Sequence, residues 1–136
     1  MVLVKIIIQY RHESGMSGKI LFMIISGHKD INKARWGLRM ALNVFTHPYG
    51  EKLIDEVRVL LFCDGVKLVD PSSKHYSMVK EWIIDLVEAG VEVVSCVSIA
   101  EPFGLVEVNE SLGVECVHAS AYVAQCVSEG FTTITF

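Results

Sequence analysis

The sequence has no CxxC pair and no zinc-ribbon spacing. Its four cysteines stand singly at positions 63, 96, 116 and 126, which encodes neither a local disulfide framework nor a sequence-local metal site. No apolar run reaches the ~18 residues of a membrane span, so no spanning helix is expected. The apolar opening, residues 1–10, is too short and too lightly charged for a signal peptide, and no small-residue cleavage site follows it. Without a secretory signal the cysteines read as reduced thiols and the protein as cytoplasmic. No basic stripe is present, and the net charge of −4 argues against a nucleic-acid partner. The phosphate cradles GxGxxG and GxxxxGK[ST] are missing after the first strand, and so is the GxSxG elbow of serine hydrolases. A phosphoreceiver would place clustered acidic residues after that strand, where this chain has Ser26-Gly27-His28. There is no internal repeat and no low-complexity tract.

What is present is one domain's length of chain. At 136 residues it buries a core without staples. Hydrophobic residues make up 51% of it and mean hydropathy is +0.43. The excess, with no membrane span to absorb it, points to buried contacts between subunits.

Residues 2–8 are β-branched and strand-like, but a polar, glycine-containing link follows, and Met16 offers a second start. Residues 1–17 are therefore an added arm or strand, or an artefact of an upstream start, and 18–136 the single domain. Residues 19–25 form an apolar run without alternation, as expected of a strand covered on both faces. Asp30 is placed to cap a helix over 31–46, where Ala34, Leu38, Ala41 and Phe45 recur on one stripe. Residues 57–63 form a second strand, and Val79, Trp82, Ile83, Leu86 and Val87 mark a second helix that Gly90 stops. A third strand runs from Gly90 to Cys96, with a break at Pro102 and Gly104 and one or two helical turns near 107–111. A short strand over 114–118, a helix over 120–127 and a final strand over 131–136 complete the chain. This alternation predicts an α/β fold, a three-layer α/β/α sandwich of flavodoxin-like kind with a mostly parallel five-stranded sheet.

In a parallel sheet all strand carboxyl ends share one rim. That rim collects Ser26, Gly27 and His28, then Cys63, Asp64 and Gly65, then Cys96, then His118 and Ser120. Cys96 is the candidate nucleophile, at the end of a central strand where ligand sites form and where the amides of a starting helix favour a thiolate. His28, Cys63, Asp64, His118 and Ser120 are its candidate rim support. Each has a plainer role beside that one. Cys96 can be a small core hydrophobe, Asp64-Gly65 a turn, His118 a half-buried strand-end group and Ser120 a helix cap. A metal held by Cys63, Cys96, His28 and His118 is chemically sensible, but no two of these ligands are local in sequence, and no metal is expected. Cys116 and Cys126 read as core.

Lys19-Ile20-Leu21-Phe22, Ser26-Gly27, residues 33–43, residues 59–68, residues 86–93 and Glu129-Gly130-Phe131 occur in an order that resembles the DsrE/DsrF-like family of sulfur-relay proteins. The resemblance implies a small α/β fold assembled into trimers or hexamers. It also implies that a cysteine after the Gly90–Val93 stretch carries sulfur as a persulfide, and Cys96 falls on that position. Neither metal nor organic cofactor is needed. Ser98-Ile99-Ala100 follow the thiol with no second cysteine nearby in sequence, so a sulfur donor and a separate acceptor, protein or small thiol, are the partners implied. Relatives without a working cysteine imply the alternative, an interaction or regulatory subunit with inert Cys96. A third reading is a module that binds a small ligand at the rim without covalent chemistry. On the helix over 31–46, Trp36 and Met40 fall opposite the stripe that faces the sheet, and are expected to meet another subunit.

Overall fold

A computed structural model describes residues 18–136; the arm or strand expected over 1–17 lies outside them. The elements are β1 (Gly18–Ile24), α1 (Ile31–Thr46), β2 (Ile54–Leu61), α2 (Tyr76–Ala89), β3 (Glu92–Cys96), α3 (Val97–Ala100), α4 (Val106–Ser111), β4 (Glu115–Val117), α5 (Ala119–Ser128) and β5 (Thr132–Thr135). Two 3-10 segments, His28–Asp30 and Cys63–Val69, follow β1 and β2. The strands lie in the order β4-β3-β2-β1-β5, and every pairing is parallel.

The order decides where the helices go. Each step from β1 to β4 moves one strand in the same direction, and right-handed crossovers put those connections on one face. The return from β4 to β5 crosses the whole sheet on the other. On the first face Phe22, Val59 and Val93 lie in one register row and pack with Ala34, Leu38 and Ala41 of α1 and Val79, Ile83 and Leu86 of α2. On the second face Leu21, Leu60 and Val94 meet Cys126, with Tyr122 and Val123 of α5 beside them. Burial on both sides explains why β1 to β3 read as unbroken apolar runs.

Local chemistry sets the helix ends. The Asp30 carboxylate accepts the Lys33 backbone N–H at 3.4 Å, capping α1. At its other end His47 turns left-handed and donates its N–H to the Asn43 carbonyl. Gly90, at φ +98°, closes α2 with its N–H on the Leu86 and Val87 carbonyls, a conformation glycine adopts without a steric penalty.

A cluster of charged side chains centred on Arg58 sits on the α5 face. Arg58 of β2, 18% exposed, donates to Glu129 at 2.8 Å and to Glu56 at 2.9 Å, and its Nε lies 3.4 Å from Glu92. Its guanidinium also lies 4.5 Å from the Phe131 ring centroid. Burial opposes its charge, but hydrogen bonds to the Cys126 sulfur, Glu129 and Glu56 outweigh that and raise its pKa further. Tyr122 donates to Glu92 from the same cluster; burial first, then that bond, raises its hydroxyl pKa. The clamp ties β2, β3 and the end of α5 together just before β5.

Arg58→Met should lower stability by about 1–2 kcal/mol, held small because the three carboxylates keep contact with water. Hydrogen bonds from Gln125 and then Arg58 hold the Glu129 carboxyl below its ordinary range. That contribution is therefore present above the ordinary glutamate pKa of ~4.3 and lost as pH falls below it. Urea denaturation across that range should show a shallower acid loss in Arg58→Met than in wild type. Equal slopes would place the acid response elsewhere.

Candidate functional site

Cys96 is the last residue of β3, paired with Val117 of β4. It alternates with Ser95 and so shares the α5 side of the sheet with Val94. The chain reaches the break at Pro102 and Gly104 only after one helical turn. It enters α3 at once, because that turn buries Ala100 beside Val66, Leu105 and Cys96. Cys96 itself is 3% exposed.

A cleft of about 610 Å³ opens beside it. Met23, Phe62, Ile99 and Val123 form its apolar walls, and Ser98, His118 and Ser120 bring the polar groups. Among the described residues no lysine, arginine, aspartate or glutamate lines it. The ten-residue α5 is the helix laid across this face, and Ala119, Ser120, Val123 and Ala124 from its first half line the cleft.

His118 is exposed at the residue before α5, where its carbonyl accepts the Tyr122 N–H at 3.0 Å. Ser120 is exposed within the first turn, and no side chain caps that helix. These two are the predicted rim residues that the structure brings to the Cys96 cleft. His28, Cys63 and Asp64 do not line it. The His28 Nε2–H donates to the Lys67 carbonyl at 3.0 Å, its ring stacks on His75 at 5.7 Å, and its Nδ1 is buried without a partner. Cys63 is exposed in a left-handed conformation, φ 54°. Asp64 is exposed, with its backbone packed against Gly27. Of the predicted rim residues, His118 and Ser120 line the cleft with Cys96, and His28, Cys63 and Asp64 lie outside its lining. Among the described residues no three His, Cys, Asp or Glu side chains are arranged to hold a metal ion.

Sequence reasoning missed Met23, Phe62, Ser98 and Ile99 as cleft residues. Met23 and Phe62 read as core within apolar runs, and their side of the sheet is the only signal they carry. All four cysteines are free. Cys126 is buried beside Arg58, and Cys116 is half-buried. Burial, with Glu110, Cys96 and Glu115 nearby, pushes the Cys116 thiol pKa up. On α1, Trp36 is 59% and Met40 47% exposed. Chemically, the cleft presents one shielded thiol under apolar walls with an imidazole at its edge.

The DsrE/DsrF-like family model matches residues 18–136. A solved structure of a conserved protein of unknown function, BT1422, from Bacteroides thetaiotaomicron is similar with a TM-score of 0.70 and 18% identity, over 87% of this chain and 94% of that one. The ychN protein from E. coli is similar with a TM-score of 0.64 and 16% identity, over 89% of this chain and all of that one, 100%. At such identities the likeness is one of fold. No curated protein matches the sequence.

The thiols should separate by labelling. With iodoacetamide, exposed Cys63 should react first at neutral pH. The labelling rate of Cys116 should go on rising with pH beyond ~8.5, the ordinary thiol pKa. Peptide mass mapping across pH reads both, and Cys116 labelled as fast as Cys63 at neutral pH would contradict this ordering.

Proposed function

The chain belongs to the DsrE/DsrF-like family, and from that membership we propose that it handles sulfur in the cytoplasm, carrying sulfane sulfur as a persulfide on Cys96 within a homo-oligomer. The observation that carries the reading is the placement of Cys96 at the base of an apolar cleft, at the carboxyl end of a central strand.

The chemistry is thiol exchange and needs no cofactor. The Cys96 thiolate attacks the outer sulfur of a donor persulfide R–S–SH. A new S–S bond forms on Cys96, the donor S–S bond breaks, and R–S⁻ leaves. The acceptor thiolate then attacks the outer sulfur of Cys96–S–SH, and the Cys96 thiolate departs. Neither step changes the overall oxidation level. In this scheme apolar walls shield the persulfide from water, and His118, in the same lining, exchanges the proton of the leaving thiolate. Cys63, Asp64 and His28 lie outside the cleft lining, and the scheme does not use them.

The burial of Cys96, 3% exposed, favours a second reading, an interaction subunit in which that thiol is inert. Assembly enters both readings. Trp36 and Met40 stand one turn apart on the outward face of α1, and this face is the proposed subunit contact of a trimer or hexamer.

Incubated with a small-molecule persulfide donor, the protein should gain the mass of one sulfur atom on Cys96, removed again by a reductant, and Cys96→Ser should gain none there. Loading that maps to Cys63 would move the carrier role, and no loading on any thiol would favour the interaction subunit. Trp36→Glu should dissociate the oligomer in light scattering while its circular dichroism stays near that of wild type. A monomeric wild type at micromolar concentration would end the assembly proposal.

A further inference from the structure

A second cleft, of about 330 Å³, lies between α1 and α2, on the face of the sheet opposite the Cys96 cleft. Leu38 and Leu42 of α1 line it, with Arg35, Arg39 and Trp36 from the same helix and Trp82 and Asp85 from α2. Asn43 and Tyr49 complete the lining. Its size falls at the low end of small-molecule sites, roughly 300–1,000 Å³, enough for one ring system with its substituents.

The charges in this cleft are unspent. Arg35 and Arg39 stand one helical turn apart, a like-charge spacing that disfavours the helix when nothing sits between them. Among the described residues every ion pair is made by Arg58, so neither arginine is paired, not even with Asp85 in the same cleft. Two guanidinium groups at that spacing are suited to one phosphate or carboxylate. Asp85, from the other helix, offers an acceptor for an amine or ring N–H. Both tryptophans of the chain, Trp36 and Trp82, line the cleft from its two walls, and Arg35 already lies over the Trp36 ring at 5.5 Å. Indole faces hold a planar ring by stacking.

We propose that the α1–α2 cleft binds a planar aromatic amine bearing an anionic group, with the anion on Arg35 and Arg39, the ring between the indoles and the amine on Asp85. The class includes adenine and cytosine nucleoside monophosphates and aminobenzoates. This assignment is independent of the sulfur reading, since no cleft residue is shared with the Cys96 site. Trp36 lines the cleft and also belongs to the α1 pair proposed as a subunit contact, so the cleft opens at the margin of that contact, with Met40 outside its lining.

Because the chain has no other tryptophan, its fluorescence reports this cleft. Excited at the red edge of the indole band, the full chain should give a saturable change on titration with AMP or 4-aminobenzoate. A response to AMP alone identifies the nucleotide source, and a response to 4-aminobenzoate alone the smaller acid. Arg39→Gln, an exposed change that leaves the core untouched, should weaken binding roughly tenfold, the worth of one charge-assisted hydrogen bond. Adenosine, with the ring and amine but no anion, should bind more weakly than AMP. No saturable response to either probe at low millimolar concentration overturns the proposal, as does equal binding by wild type and Arg39→Gln. A silent wild type whose oligomer shifts in Arg39→Gln also overturns it, and assigns the cleft to a subunit contact.

Discussion

No side chain fits at position 65. A Cβ there would lie 1.9 Å from the carbonyl oxygen of Ile24, a backbone atom that cannot give way. That same carbonyl accepts the Phe62 N–H at 3.0 Å, and the Gly65 N–H returns to the Phe62 carbonyl at 2.9 Å. The bare glycine therefore lets the turn after β2 lie directly on the end of β1. This seating delivers Val66 into the cluster with Cys96, Ala100 and Leu105, so the packing under the thiol depends on a contact two strands away. Gly27 meets the backbone of Asp64 in the same junction, at 2.6 Å for an added Cβ.

The uneven covering of the sheet then gives each face its character. Two long helices close one face over a continuous apolar layer, and the ten-residue α5 returns across the other. What α5 leaves open becomes a cleft whose walls are core-type side chains and whose base is Cys96. The Arg58 clamp holds the far end of α5 to β2 and β3, which keeps the open end near the rim and away from the fixed one.

Charge is distributed to match. Among the described residues the Cys96 cleft has no lysine, arginine or carboxylate in its lining, whereas the α1–α2 cleft holds two arginines that pair with none of them. Unpaired like charges on one helix face are tolerated at the surface, where water screens them, and are available to a ligand that displaces that water. The two clefts thus differ in polarity, face and chemistry, and a single fold presents both.

Periodicity and local signals in the sequence determined the elements. The helix over 31–46, the Asp30 cap, the stop at Gly90 and the strand ending at Cys96 all follow from short-range physics, and the structure reproduces them. The exposure of Trp36 and Met40 was equally legible, because a helical wheel needs only the sheet-facing stripe of Ala34, Leu38 and Ala41. The helix start beside Cys96 was legible too, but the burial of Ala100 within it was not, since Ala100 packs on Val66, a residue distant in sequence. The division of the rim was not legible either. Strand ends converge on one edge by topology alone, but the side of the sheet to which each side chain turns depends on register and on where α5 crosses. Register and crossover are set by contacts between distant strands, so only the tertiary structure decided that His118 and Ser120 share a cleft with Cys96 while His28, Cys63 and Asp64 lie apart from it.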